Sequence, residues 1–287
     1  MKTWILTFSL AFILGCSGEK NSDNLIGDAV NYFSRAFERS EVAAPERRQL
    51  NEGFWIQTLN IKSSVYPVEK DFKLFCIEID PQKYNIHLSL AKDFHQKVLK
   101  AKEFSRLSKS FLSMNASFFD KEHRPLGLQI QDGQRIRKLS QVDGGVFFIQ
   151  DGIPEIVHTK DYTPHDGITT AFQCRPRLVH KGHIIDRLKH QIAKRTFIAI
   201  TRDKKIIVGV TENSMAYAKD LATILALDTD AGGLGCEYAL NLDGGSSSQL
   251  FIDYKGYTKE ISGSVSVPNA ITVSSKKPSP GYSCADQ

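Results

Sequence analysis

The chain has 287 residues, 41% of them hydrophobic and 24% charged, with a formal net charge of +5. It is too apolar for a disordered segment and long enough to bury one large core. No basic run interleaved with aromatics occurs, which argues against a nucleic-acid binder, while a mild positive excess suits anionic small molecules or an anionic surface.

At the amino terminus Met1 and Lys2 precede an apolar stretch, Trp4 to Leu14, too short to span a bilayer. It ends in Ile13-Leu14-Gly15-Cys16, which resembles a bacterial lipoprotein signal and implies a lipidated Cys16. Ser17 in place of Asp points, by the same resemblance, to the outer membrane facing the periplasm. The membrane is then a partner through that lipid only. Four further cysteines, Cys76, Cys174, Cys236 and Cys284, allow two disulfides in an oxidising envelope. Cys174–Cys236 is the favoured pair, because both flank the polar segments described below.

Residues 17–53 read as a tether and a peripheral helix, with Ile26, Val30, Phe33 and Phe37 at helical spacing. Pro45 interrupts a charged stretch, and the domain proper is expected over 54–275. Phe54 to Leu59, Phe72 to Ile79 and Tyr84 to Leu90 alternate as strands do. Val98 to Ser110 reads as a helix, and Phe111 to Asn115 as the run after it. Strands follow at Leu128 to Gln131, Val146 to Gln150, Ile153 to His158, Phe197 to Thr201 and Ile206 to Val210. Ser214 is expected to cap a helix reaching Leu227. A Gly-rich loop leads to an apolar run ending in Asn241-Leu242-Asp243-Gly244-Gly245-Ser246-Ser247-Ser248. Strands at Phe251 to Tyr254, Thr258 to Ile261 and Ala270 to Val273 precede a tail over 276–287. The balance predicts an α+β fold: one domain of mixed, largely antiparallel sheet with two or three packing helices.

The chemistry gathers at Asp243. A strand that delivers a carboxylate into a Gly-Gly turn leaves it at the strand's end, with amides and hydroxyls free to meet an anion. Asp120 closes a similar run, Met114-Asn115-Ala116-Ser117-Phe118-Phe119-Asp120. Arg195 stands just before an apolar strand. The serines fail the Gly-x-Ser-x-Gly pattern of a hydrolase elbow. His180-x-x-His183 has no third ligand at a recognisable spacing, and Lys181-Gly182 between them reads as a turn. No metal or cofactor is assigned, although oxygen ligands at Asp243 leave a divalent cation open.

In this order the segments resemble the phosphodiester glycosidase family. Met114 to Phe119 is similar to the family's Asn-Gly-Gly-Phe-Phe, with Ala116 and Ser117 replacing the glycines. Pro125-Leu126-Gly127-Leu128 with Asp132-Gly133 matches the hairpin that follows. Ala171 to Val179, Arg195-Thr196, Asn241 to Gly245 and Val267-Pro268-Asn269-Ala270 match the remaining segments, though Arg175 stands where a glycine is usual. Some bacterial relatives are exopolysaccharide-associated envelope proteins. The resemblance implies an envelope lipoprotein that hydrolyses a sugar 1-phosphodiester through an oxocarbenium-like state. Catalysis then falls to Asp243, Arg195 and Asn115, and substrate binding to Gly244, Gly245, Ser246, Asn241, Asp120 and Arg175. The alternatives are a polysaccharide-binding lipoprotein without turnover, and a glycosidase for a phosphate-free glycan that pairs Asp243 with Asp120.

Overall fold

The computed structural model describes residues 46–62 and 71–276. The expected helix over Leu25 to Phe37, the lipidation site Cys16 and the tail cysteine Cys284 lie outside the described residues.

Three antiparallel sheets build the fold. The largest runs, edge to edge, Glu46–Asn51, Phe54–Ile61, Phe72–Ile79, Ile206–Thr211, Thr196–Thr201, Cys236–Asn241, Arg177–His180 and His183–Ile184. A second runs Tyr257–Ile261, Leu250–Tyr254, Leu112–Asn115, Asn269–Ser275 and Tyr84–Leu90. The third runs Gln134–Arg137, Gln129–Gln131, Ile168–Cys174, Gly145–Gln150 and Ile153–His158. A short ribbon pairs Ile192–Ala193 with Ala216–Tyr217. Helix α1 spans Ala101–Ser108 and helix α2 spans Ala218–Ala226.

Strand alternation explains the layers. Phe75, Ile77 and Ile79 face one side of the large sheet and Leu74 and Cys76 the other. The first set joins Ile198, Leu240, Leu112, Ile271, Phe147 and Phe172 in a core shared by all three sheets. The second set is covered by α2 through Leu221, Ala222 and Leu225. Helix α1 lays Phe104 against Leu99 and Ala270.

The expected α+β architecture therefore leans strongly to β, with two α-helices among the described residues. The α2 helix starts at Ala218, not at Ser214. Ala216 and Tyr217 are taken by the ribbon, and the Ser214 hydroxyl instead accepts from the Lys73 amide at 3.0 Å. The strand Glu46–Asn51 precedes the boundary read at Phe54. As a charged and exposed edge strand it buries no alternate face, so it carries no period-two signal. The favoured disulfide is not formed: Cys76, Cys174 and Cys236 are free and buried. Cys174 lies in the shared core and Cys236 in the core under α2, so the large sheet stands between them.

Candidate active site

The strands that carry the sequence-predicted residues end together. Asn115 ends a strand of the second sheet, Cys174 one of the third, and Asn241 one of the large sheet, where Thr196 begins its neighbour. Backbone bonds close the junction: the amides of Asp243, Leu242 and Asn241 donate to the carbonyls of Ala116, Thr196 and Pro176 at 3.0, 2.8 and 3.0 Å.

Asp243 is half-buried at the exit of its strand. Burial pushes its carboxyl above the usual carboxylate range, while the Ser247 hydroxyl and the Gly244 amide, both bonded to it, pull it back. The turn has little freedom at Gly244, where a Cβ would stand 2.7 Å from the Lys194 carbonyl oxygen. Gly245 adopts φ +60°, and a Cβ there would meet nothing within 4 Å. Space beside Gly245 is thus open. The Gly245 amide is engaged by the Lys194 carbonyl at 2.9 Å, whereas Ser246 is exposed.

Asn115 is fully buried and bonds to the junction through both ends of its amide. Its Nδ2 donates to the Asp243 carbonyl at 2.6 Å, and its Oδ1 accepts from the Thr196 hydroxyl and the Gln249 amide at 3.1 and 3.0 Å. Asn241 Nδ2 donates to the carbonyls of Arg175 and Leu242 at 3.2 and 2.7 Å. Both asparagines therefore shape the backbone around Asp243.

Arg195 is 8% exposed, and its guanidinium holds the ribbon: Nε donates to the Ala216 carbonyl at 3.0 Å and Nη2 to that of Gln191. Burial pulls its pKa down. Arg175 is exposed, beside Cys174, whose thiol is pushed up to about 12 by burial, with the Asp243 charge adding to the rise and Arg175 opposing it. Asp120 stands apart in a tight turn. Its Oδ1 accepts from the amides of Glu122 and Arg124, and its Oδ2 from Arg124 Nε at 2.7 Å, which keeps the carboxyl below the usual range.

The two residues that replace glycines are absorbed by the fold. Ala116 packs in the shared core, and the Ser117 hydroxyl accepts from Gln129 Nε2 at 3.1 Å. Thr196 and Gln249, for which the sequence gives no role, complete the junction. The Ser247 hydroxyl, expected free to meet an anion, is bonded to Asp243 instead. His180 and His183 face each other across a hairpin whose turn residues, Lys181 and Gly182, both have positive φ. Among the described residues, no three His, Cys, Asp or Glu side chains converge as a metal site would require.

The turn after Cys236–Asn241 thus holds a half-buried carboxylate at the meeting point of three sheets. The phosphodiester glycosidase family model matches residues 109–274, and the chain belongs to that family. No curated protein matches it. Among solved structures it resembles the catalytic domain of zebrafish N-acetylglucosamine-1-phosphodiester alpha-N-acetylglucosaminidase, auto-inhibited by its pro-peptide. The TM-score is 0.63 at 13% identity, over 82% of this chain and 88% of that one. A hypothetical protein from Synechocystis matches with a TM-score of 0.56 at 16% identity, over 83% of this chain and 65% of that one. A putative exported protein from Burkholderia pseudomallei matches with 0.50 at 10%, over 72% and 75%. At these identities the likeness is one of fold.

Proposed function

We propose that this chain hydrolyses the bond between a sugar's anomeric carbon and a phosphodiester in an envelope glycan. The observation that carries this reading is the Asp243 carboxylate, half-buried at the end of its strand and hydrogen-bonded by Gly244 and Ser247, in a turn whose Gly245 has open space beside it. In the reaction the anomeric carbon–oxygen bond breaks and the phosphate leaves with the electron pair. Water then forms the new bond to that carbon, and its proton passes to the Asp243 carboxylate. The carboxylate also stabilises the oxocarbenium-like charge. A phosphate leaves readily at neutral pH, so charge neutralisation matters more than a strong acid.

That neutralisation is assigned to exposed Arg175 and the Ser246 hydroxyl, because two nitrogens of Arg195 are engaged by carbonyls. Arg195 and Asn115 act as positioning residues, and Asp120, tied to Arg124, holds its loop. A lipid on Cys16 would place the site in the periplasm at the outer membrane, a reading that rests on the Ile13-Leu14-Gly15-Cys16 sequence.

The test is release of free sugar from a panel of sugar 1-phosphodiesters, UDP-N-acetylglucosamine included. Asp243→Asn should lower turnover about 10²–10⁴-fold while the chain stays folded. Equal turnover in the folded variant would remove Asp243 from the chemistry. Saturable glycan binding without release by either protein would favour a binding lipoprotein instead.

A further inference from the structure

A cavity of about 310 Å³ lies one hydrogen bond from the loop that positions Asp243. Gln129, fully buried in its wall, donates from Nε2 to the Ser117 hydroxyl, and Ala116, next to Ser117, accepts the Asp243 amide. The rest of the lining has three characters. Pro125 and Ile136 present apolar surface. Lys92, Lys97 and Arg137 stand at the exposed edge with no ion-pair partner found among the described residues, and no Asp or Glu lines the cavity. Arg124 also lines it, but its charge is taken by Asp120 and Glu122. The third character is unmet hydrogen bonding. Gln129 Oε1 and His123 Nδ1 are buried without a partner, and the His123 ring rests on Phe119 with centroids 5.6 Å apart.

A buried polar atom left unpaired costs about 1–3 kcal/mol unless a ligand or water meets it. Gln129 Oε1 meets a ligand hydroxyl only when the side chain turns toward the cavity. The apolar wall suits the C–H face of a ring, and three unpaired cations call for an anion. The volume is at the small end of small-molecule sites, which suits one hexose-sized unit. We propose that this cavity binds an anionic sugar unit, a ring carrying a phosphate or carboxylate, in the same glycan but away from the bond that is cut. The proposal takes from the preceding reading only that the ligand is a glycan.

The full chain is titrated with glucose 6-phosphate, glucuronate and glucose, followed by ligand-observed NMR. At least one charged sugar should bind saturably and at least tenfold more tightly than glucose, and which one does names the anion as phosphate or carboxylate. The double variant Lys97→Glu, Arg137→Glu changes exposed side chains only, and should weaken the charged sugar at least tenfold with an unchanged circular dichroism spectrum. Ile136→Trp, which fills the cavity, should do the same. Equal affinity for glucose, indifference to both variants, or no binding by any probe would overturn the proposal. The titration is repeated with Asp243→Asn, so binding is read without turnover. A chain that binds here but cleaves no sugar phosphodiester leaves this site standing and removes the proposed reaction; one that cleaves but binds nothing here does the reverse.

Discussion

Asp243 occupies a position that favours its neutral form, and its titration should register in both stability and rate. Its folded pKa is raised, chiefly by burial, so the stability it contributes is fully present below the unfolded carboxylate value and is lost as pH rises through the folded value. Asp243→Asn removes that loss. The variant's thermal midpoint should equal or exceed the parent's at pH 7, with the advantage shrinking toward pH 3. Melting curves across that range check the sign, and a clearly lower midpoint at pH 7 would mean that the folded site favours the ion. Because the reaction needs the ionised carboxylate, turnover should rise with pH through an apparent pKa above the usual carboxylate range. Asn115 offers a different test. Asn115→Ala strands the Asp243 carbonyl and the Gln249 amide, while the Thr196 hydroxyl keeps its bond to Ser248. At about 1–3 kcal/mol for each group left unpaired, urea denaturation should show a loss on the order of 3 kcal/mol.

The turn and the strands around it act as one element. Gly244 and Gly245 are adjacent yet constrained for different reasons: a Cβ at Gly244 meets the Lys194 carbonyl at 2.7 Å, while Gly245 has room but holds φ +60°. Gly245→Ala should cost roughly 1–2 kcal/mol, the strain of a left-handed alanine, and leave the Asp243 carboxylate in place. Gly244→Ala should push the turn away from residue 194 and lower turnover much more than its loss of stability implies. Parallel measurement of unfolding and turnover separates the two, and equal effects on turnover would argue against a rigid turn. Which elements were legible at this scale follows from burial. The strands Phe72–Ile79, Thr196–Thr201 and Ile206–Thr211 lie in the middle of a sheet and carry dense apolar runs. The exposed edge strand Glu46–Asn51 and the two-residue strands of the ribbon are defined by a partner rather than by their own residues. The ribbon is also what moved the start of α2 away from Ser214.

Across the whole molecule the three described cysteines are inert hydrophobic filling. Cys174 is pushed up to about 12, and burial raises Cys76 and Cys236 as well. Iodoacetamide at pH 8, followed by peptide mapping, should leave all three unmodified in the native chain and label all three in denaturant. Rapid labelling of Cys174 alone would show that the core beside Asp243 opens in solution. The sequence by itself determined the central strands, the carboxylate leading into a glycine turn and the order of segments that marks the family. These are patterns over a few neighbouring residues, written by local backbone geometry and by which face is buried. Only the tertiary structure decided what the polar side chains are for. Asn115 reaches a carbonyl 128 residues away and a hydroxyl 81 residues away, Arg195 is engaged by the ribbon's Ala216 carbonyl, and Cys174 and Cys236 end on opposite sides of a sheet. Such partners are set by which strands pair and in what register, and no short stretch of chain contains that information.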